Sequence, residues 1–139
     1  MTLTVVNAAE PDFLELILAV NYTLHLYKTD VTSGLTAAQK DALTVSDFTE
    51  ATFTGYSSAA LTGGAWTTAA GDPATGVYAV RTFTSSADQA AQTIYGYYVT
   101  RTSGGALRWF ERFTAPVILE FNGEFLTLVP RITLADSGD

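Results

Sequence analysis

The dipeptide Asn122-Gly123 lies between two apolar runs, residues 117–121 and 124–129. Asn-Gly is the preferred pair for a two-residue β-hairpin, because both central positions of that turn need a positive φ. Few other short patterns restrict a fold as strongly, since the pair fixes both the turn and the antiparallel direction of its flanks. The sequence therefore predicts a C-terminal hairpin in which 117–121 pairs with 124–129.

A second turn signal precedes the first. Residues 94–100 are rich in the aromatic and β-branched side chains that pack well on a pleated surface, and residues 107–113 continue that composition. Ser103-Gly104-Gly105 separates the two runs and predicts a tight turn. Two consecutive hairpins in the C-terminal third indicate an antiparallel sheet.

The N-terminal region has a different texture. Phe13, Leu16, Ile17 and Val20 recur at helical spacing, which predicts a short helix over residues 13–20 with a strand as the alternative. Asp12 precedes this run and is the expected N-cap. Residues 1–10 come before the helix and are interpreted as a possible extended arm.

Between these regions the chain alternates as strands do. Residues 22–27 place Tyr, Leu and Leu on one face and Thr, His and Tyr on the other, the two-residue period of a half-buried strand. A polar connection covers residues 30–47, with a helical turn expected within 35–43 and Thr36 as its cap. A connection of this length is a candidate contact loop. Further strand-like runs follow, separated by glycine-rich turns at 63–64 and 71–73, and cover residues 48–56, 59–61, 65–68 and 77–83.

These patterns predict a single domain over residues 1–139. The expected fold class is mainly β, an antiparallel β-sandwich or barrel of jelly-roll type with a short N-terminal helix.

The chain offers few residues for chemistry. It contains no cysteine and one histidine, His25, which we interpret as a half-exposed strand residue. The sequence lacks a Gly-x-Ser-x-Gly nucleophile elbow, a phosphate-binding glycine loop and an EF-hand spacing. We therefore expect no catalytic residue, no metal site and no cofactor.

The net charge limits the kinds of partner that the chain can bind. Seven Lys and Arg residues stand against fourteen Asp and Glu residues, a net charge of −7, which is the wrong sign for a protein that holds a phosphate backbone. The longest apolar stretch is far shorter than the roughly 20 residues that span a bilayer. We expect neither nucleic acid nor membrane as a partner. Only 15% of the residues are charged while 47% are apolar, which indicates either a Thr-rich β surface or a surface partly buried against other subunits.

Aromatic side chains are concentrated in the predicted C-terminal sheet. Strand alternation places Tyr95 and Tyr97 on one face and Tyr98 on the other, so both faces carry large rings. One face must form the core, and the other is covered by a second layer, a loop or a neighbouring subunit. Tyr and Arg are residues that interfaces favour. The candidate interface residues are Tyr95, Tyr97, Arg101, Arg108 and Arg112.

The order of features along the chain resembles small virion proteins of tailed bacteriophages. The resemblance covers nearly the whole chain and lies in loose strand-and-turn motifs: FTEATFTGY at 48–56, LTGGAW at 61–66, IYGYYVT at 94–100, RWFERF at 108–113 and FNGEFLTLVPRITLA at 121–135. It carries no catalytic position that could be transferred to this chain.

The resemblance implies a structural role. The leading expectation is a capsid decoration (cement) protein that binds the major capsid protein and itself, as a homotrimer, on a phage head after synthesis in the host cytoplasm. The alternative is a tail or neck component, or a tail-fibre component with a carbohydrate- or receptor-binding β-sandwich. Exposed Trp66 or Tyr56 beside loop acids would favour that alternative.

Overall fold

The computed structural model describes residues 5–134, in two compact units. The first unit contains 5–21, 61–81 and 128–134, and the second contains 22–60 and 82–127. The helices are α1 (Glu10–Ile17) and α2 (Ala37–Asp41), with one 3-10 turn at Val45–Asp47. The strands are β1 (Tyr22–Tyr27), β2 (Ala59–Leu61), β3 (Thr67–Ala69), β4 (Ala74–Val77), β5 (Arg81–Thr84), β6 (Gln92–Arg101), β7 (Leu107–Leu119), β8 (Phe125–Leu128) and β9 (Arg131–Leu134).

The mainly β class with antiparallel pairing and one short N-terminal helix is confirmed. Three sheets form, with strand orders β2-β1-β6-β7, β3-β4-β9 and β5-β8. Over residues 5–134 none of these sheets closes into a barrel, which is consistent with a sandwich-like fold.

The second unit is built on the four-stranded sheet. The predicted strand at Tyr22–Tyr27 is confirmed with its bounds, and it pairs antiparallel with β6 from Tyr22↔Arg101 to Tyr27↔Gly96. The predicted hairpin between β6 and β7 is confirmed as well, with positive φ at Gly104 and Gly105 in its turn. Both faces of β6 are covered, because Ile94, Val99 and Tyr97 are all at most 2% exposed.

Gly96 is required where β6 passes β1 and β7. A Cβ atom at this position would lie 2.1 Å from the carbonyl oxygen of Glu111 and 2.6 Å from the hydroxyl of Tyr27. The β6–β7 register shifts between the pairs Ile94↔Val117 and Gly96↔Arg112, so residues 113–116 of β7 bulge opposite Tyr95. Tyr95 itself is partly buried against the aromatic cluster that contains Tyr98.

The second predicted hairpin is wrong in its pairing. A turn does form at Asn122-Gly123, but β8 pairs with β5, and β7 pairs with β6. Only Gly123 has a positive φ, whereas the expected turn type needs a positive φ at both central residues. The turn therefore directs β8 away from β7, and β7 runs through Pro116 as one strand of 13 residues.

The strand predicted at 48–56 is also wrong. This segment has one isolated bridge, Tyr27↔Glu50, and no ladder. Glutamine side chains satisfy its backbone instead: Oε1 of Gln92 accepts from the N–H groups of Thr52 and Phe53, at 2.7 and 3.1 Å. Side-chain acceptors replace a partner strand here, which a pattern of apolar residues does not reveal.

The first unit contains α1 and the sheet of β3, β4 and β9. The predicted helix exists, but it begins at Glu10, and Asp12 lies in its first turn and is not the cap. The predicted inner face is wrong: Leu14 and Leu18 are buried, while Phe13 and Leu16 are 47% and 72% exposed. Both sets of residues satisfy helical spacing, and contact with β3 and β4 selects the leucines.

Two other segments differ from the sequence-based prediction in where their elements begin and end. The strand expected at 77–83 is two strands, β4 and β5, that belong to different sheets. Of the predicted arm, residues 1–4 lie outside the described residues. Its second half is not extended, because the N–H of Ala9 donates to the carbonyl of Val6 in a turn and the buried Glu10 opens α1.

Candidate functional site

The two tyrosines of the predicted interface point inward. Tyr97 is 2% exposed, and its hydroxyl donates to Oε2 of Glu111 at 2.7 Å. Tyr95 is half-buried against the cluster of Tyr27, Phe48 and Tyr98. The covering layer that the sequence required for both faces of β6 is therefore supplied by the chain itself at these positions.

The three predicted arginines are divided between two places. Arg101 and Arg108 are exposed at the turn that joins β6 to β7. Their charges partly offset the effect of burial, which raises the pKa of Tyr22. Arg112 instead forms a two-bond ion pair with Asp30, at 3.0 and 2.9 Å, and this guanidinium lowers the pKa of the Asp30 carboxyl.

Arg108 also forms part of a groove between α2 and β7. The groove has a volume of about 330 Å³, and Lys40, Asp41 and Leu43 face Leu107–Phe110 across it. The predicted cap Thr36 forms a capping box at the start of α2, in which Oγ1 of Thr36 accepts from the Gln39 N–H and the Gln39 side chain accepts from the Thr36 N–H. The polar connection at 30–47 is thus folded and forms one side of the groove. Its predicted helix cap, Thr36, is confirmed.

His25 is the centre of a hydrogen-bond network in the second unit. Its Nδ1 lies 2.8 Å from Oε1 of Glu50, and its Nε2 lies 3.0 Å from Oγ1 of Thr100. The hydroxyl of Tyr56 donates to the same Glu50 oxygen and accepts from the backbone N–H of Leu26. Burial and the Glu50 charge raise the pKa of Tyr98, whose ring stacks on His25, to about 12.

A hydroxyl, an imidazole and a carboxylate thus follow one another as they do in a nucleophilic triad. Thr100, however, is 6% exposed and lies within β6, with β1 on one side and β7 on the other. A nucleophilic hydroxyl must be accessible to its substrate, and Thr100 is buried. In this structure, the network links the irregular segment at 48–56 to β1.

The turn at Asn122-Gly123 is held by several hydrogen bonds to its backbone. Oε2 of Glu124 accepts from the N–H groups of Glu120 and Phe121, at 2.6 and 2.9 Å, and these bonds lower the pKa of the Glu124 carboxyl. The Asn122 N–H donates to Oδ1 of Asp88, and the Gly123 N–H donates to the carbonyl of Ser85. Four consecutive backbone N–H groups are therefore fixed.

Large exposed apolar side chains lie in this fixed turn and in the strand ends that flank it. Ile118, Phe121 and Phe125 are 59%, 54% and 62% exposed, and we call these three residues the apolar patch. Ile118 and Phe125 line one shallow concavity of about 460 Å³ together with Leu119 and residues 122–124. The sequence reading missed the patch because it assigned all three residues to a paired hairpin.

Between residues 5 and 134, no group of three or more His, Asp or Glu side chains is arranged to hold a metal ion. The helices of that range are too short or too polar to cross a bilayer. Comparison with protein-family models, curated proteins and solved structures finds no match for the chain.

Proposed function

We propose that this chain is a structural protein of a tailed-phage virion, a decoration protein that stabilises the head by contacts between subunits. The observation that carries the proposal is the apolar patch on its fixed turn. Contiguous exposed apolar side chains on a folded protein mark contact sites for other macromolecules. Hydrogen bonds from Glu124 and from residues 85–88 fix the backbone of the loop between β7 and β8 next to these side chains.

The fixed backbone of the turn is as relevant as the exposed rings. Binding through a mobile loop loses affinity, because its side chains and backbone must be ordered at the moment of contact. Here the carboxylates of Glu124 and Asp88 and the carbonyl of Ser85 have already ordered the turn. Phe121 and Phe125 are thus presented much as aromatic anchors are at the centre of protein interfaces.

The finer parts of the proposal follow from the resemblance to phage virion proteins. The partners are the major capsid protein and further copies of the chain, as a homotrimer, and the location is the phage head. The role is non-catalytic and uses no cofactor. The carbohydrate-binding alternative has less support, because Trp66 is 9% exposed and packs edge-on against Tyr78 at 5.1 Å.

The test uses purified phage heads that lack the protein. The chain is added to the heads, bound protein is quantified by co-sedimentation, and the oligomeric state is measured separately by analytical ultracentrifugation. We expect saturable binding, heads that resist heat better, and a trimer. A strict monomer at high concentration that does not bind heads would overturn the proposal.

A further inference from the structure

We infer that the apolar patch docks onto a different protein, at an apolar surface rimmed by Lys and Arg, and not onto the patch of a second copy. The inference rests on the proposed function and names the chemistry of the partner.

Within residues 5–134, the charged side chains that bond to the turn or flank it directly in sequence are acidic. Glu124 and Asp88 accept hydrogen bonds from its backbone N–H groups, and Glu120 is the first residue after β7. Among the residues that the structure describes, those that line the concavity include no Lys or Arg. The carboxylate of Glu124 is held in its charged form by two backbone N–H donors, which lower its pKa. The exposed apolar side chains therefore accompany three acidic residues on and around one turn, Asp88, Glu120 and Glu124, which we call the rim.

This rim discriminates between two occupants. Symmetric contact with a second copy would bring two acidic rims together, in a protein whose net charge is already −7. Like charges across an interface oppose association, while complementary charges speed it and fix its register. A partner with basic residues around an apolar surface can bury the exposed apolar side chains and also pair with the acidic rim. Self-association of the chain then uses another surface.

Replacing Phe121 and Phe125 with Ser tests the apolar centre. Both side chains are exposed, so the variant should unfold at the same midpoint as the wild type. We expect its affinity for heads that lack the protein to fall about 30-fold or more. The matched control is Phe13→Ser, which removes an exposed ring from α1 in the other unit and should leave head binding unchanged.

The outcomes separate the two proposals. Wild-type protein that fails to bind heads overturns the proposed function itself. Wild-type binding that the double variant retains in full overturns only the inference. Loss of the oligomer in the double variant, measured by sedimentation without heads, would identify a second copy as the occupant and would also overturn it.

The charged rim is tested by the pair Asp88→Asn and Glu124→Gln. Each substitution keeps an oxygen that can accept the same backbone N–H groups while it removes the charge. We expect the double variant to bind heads about tenfold more weakly at low ionic strength and to lose most of the salt dependence that the wild type shows. Equal affinity and equal salt dependence in both proteins would exclude a basic rim on the partner.

Discussion

β6 and β7 are neighbouring strands of similar aromatic content, but β6 is a buried strand and β7 is largely exposed. From Ile94 to Thr100, β6 is buried except at the half-buried Tyr95, whereas along β7 only Leu119 is buried. The cause is their place in the strand order β2-β1-β6-β7, in which β6 is internal and β7 is at the edge. Aromatic content alone therefore does not tell a core strand from an edge strand.

The two strands also differ in how closely neighbouring atoms pack against them. β6 needs a glycine at 96 because another backbone and a tyrosine ring leave no space for a Cβ atom. β7 carries Arg108, Glu111, Arg112 and Pro116 along its length. Charges and proline are features that keep exposed sheet edges from pairing with other chains. Stability should thus depend on β6, while β7 and the turn after it remain available for contacts.

The largest expected effect is that of Gly96→Ala in β6. The new Cβ atom would overlap the Glu111 carbonyl oxygen, so the β6–β7 ladder would have to separate locally. We expect a loss of more than about 4 kcal/mol in the free energy of unfolding, at the extreme of single substitutions. Urea unfolding followed by circular dichroism measures it.

Gly105→Ala is the matched control for that substitution. Gly105 lies in the turn before β7 at φ +68°, with no atom within 4 Å of an added Cβ. Its cost is conformational only, about 1–2 kcal/mol. Equal losses in the two variants would show that steric overlap at β6 is not what limits the sheet.

A second test compares two isoleucines. Ile94 in β6 is fully buried, and Ile118 in β7 is 59% exposed, although Ile94↔Val117 and Thr93↔Ile118 are adjacent pairs of one ladder. Ile94→Ala should cost about 3 kcal/mol through lost burial and the cavity it leaves. Ile118→Ala should change stability by no more than about 0.5 kcal/mol. A large loss at Ile118 would place its side chain in a core.

The smallest effect concerns the ion pair between Asp30 and Arg112. The folded-state pKa of Asp30 is lowered, chiefly by its bonds to Arg112, so the stabilisation is present above the ordinary aspartate range and is lost as the pH falls through the folded-state pKa. Arg112→Gln should raise the pKa of Asp30, as an NMR titration would detect. The difference in stability between the two proteins should disappear at acid pH and shrink in high salt. A difference that persists in acid would refute this origin.

Local signals in the sequence predicted the parts of the fold that are set locally. The alternation at Tyr22–Tyr27, the Thr36 cap and the Ser103–Gly105 turn each depend on residues close in sequence, and all three are confirmed. The buried face of α1 and the partner of β8 depend on which distant element lies nearby, so periodicity left them open and the chosen options were wrong.

The same limit applies to the candidate site. Tyr and Arg composition directed attention to the β6–β7 sheet, where Tyr97 is buried and Arg112 is paired. The apolar patch was hidden because its residues are typical of strands. Its exposure follows from a turn with one positive φ and from acceptors at Glu124, Asp88 and Ser85, which no short motif encodes.

The most direct test of the assembly proposal is an electron cryo-microscopy reconstruction of phage heads saturated with the chain. The account predicts that Ile118, Phe121 and Phe125 are covered by the head protein, with Lys or Arg side chains of that protein beside Glu124 and Asp88. A reconstruction in which the patch faces solvent while another surface of the chain contacts the head would contradict it.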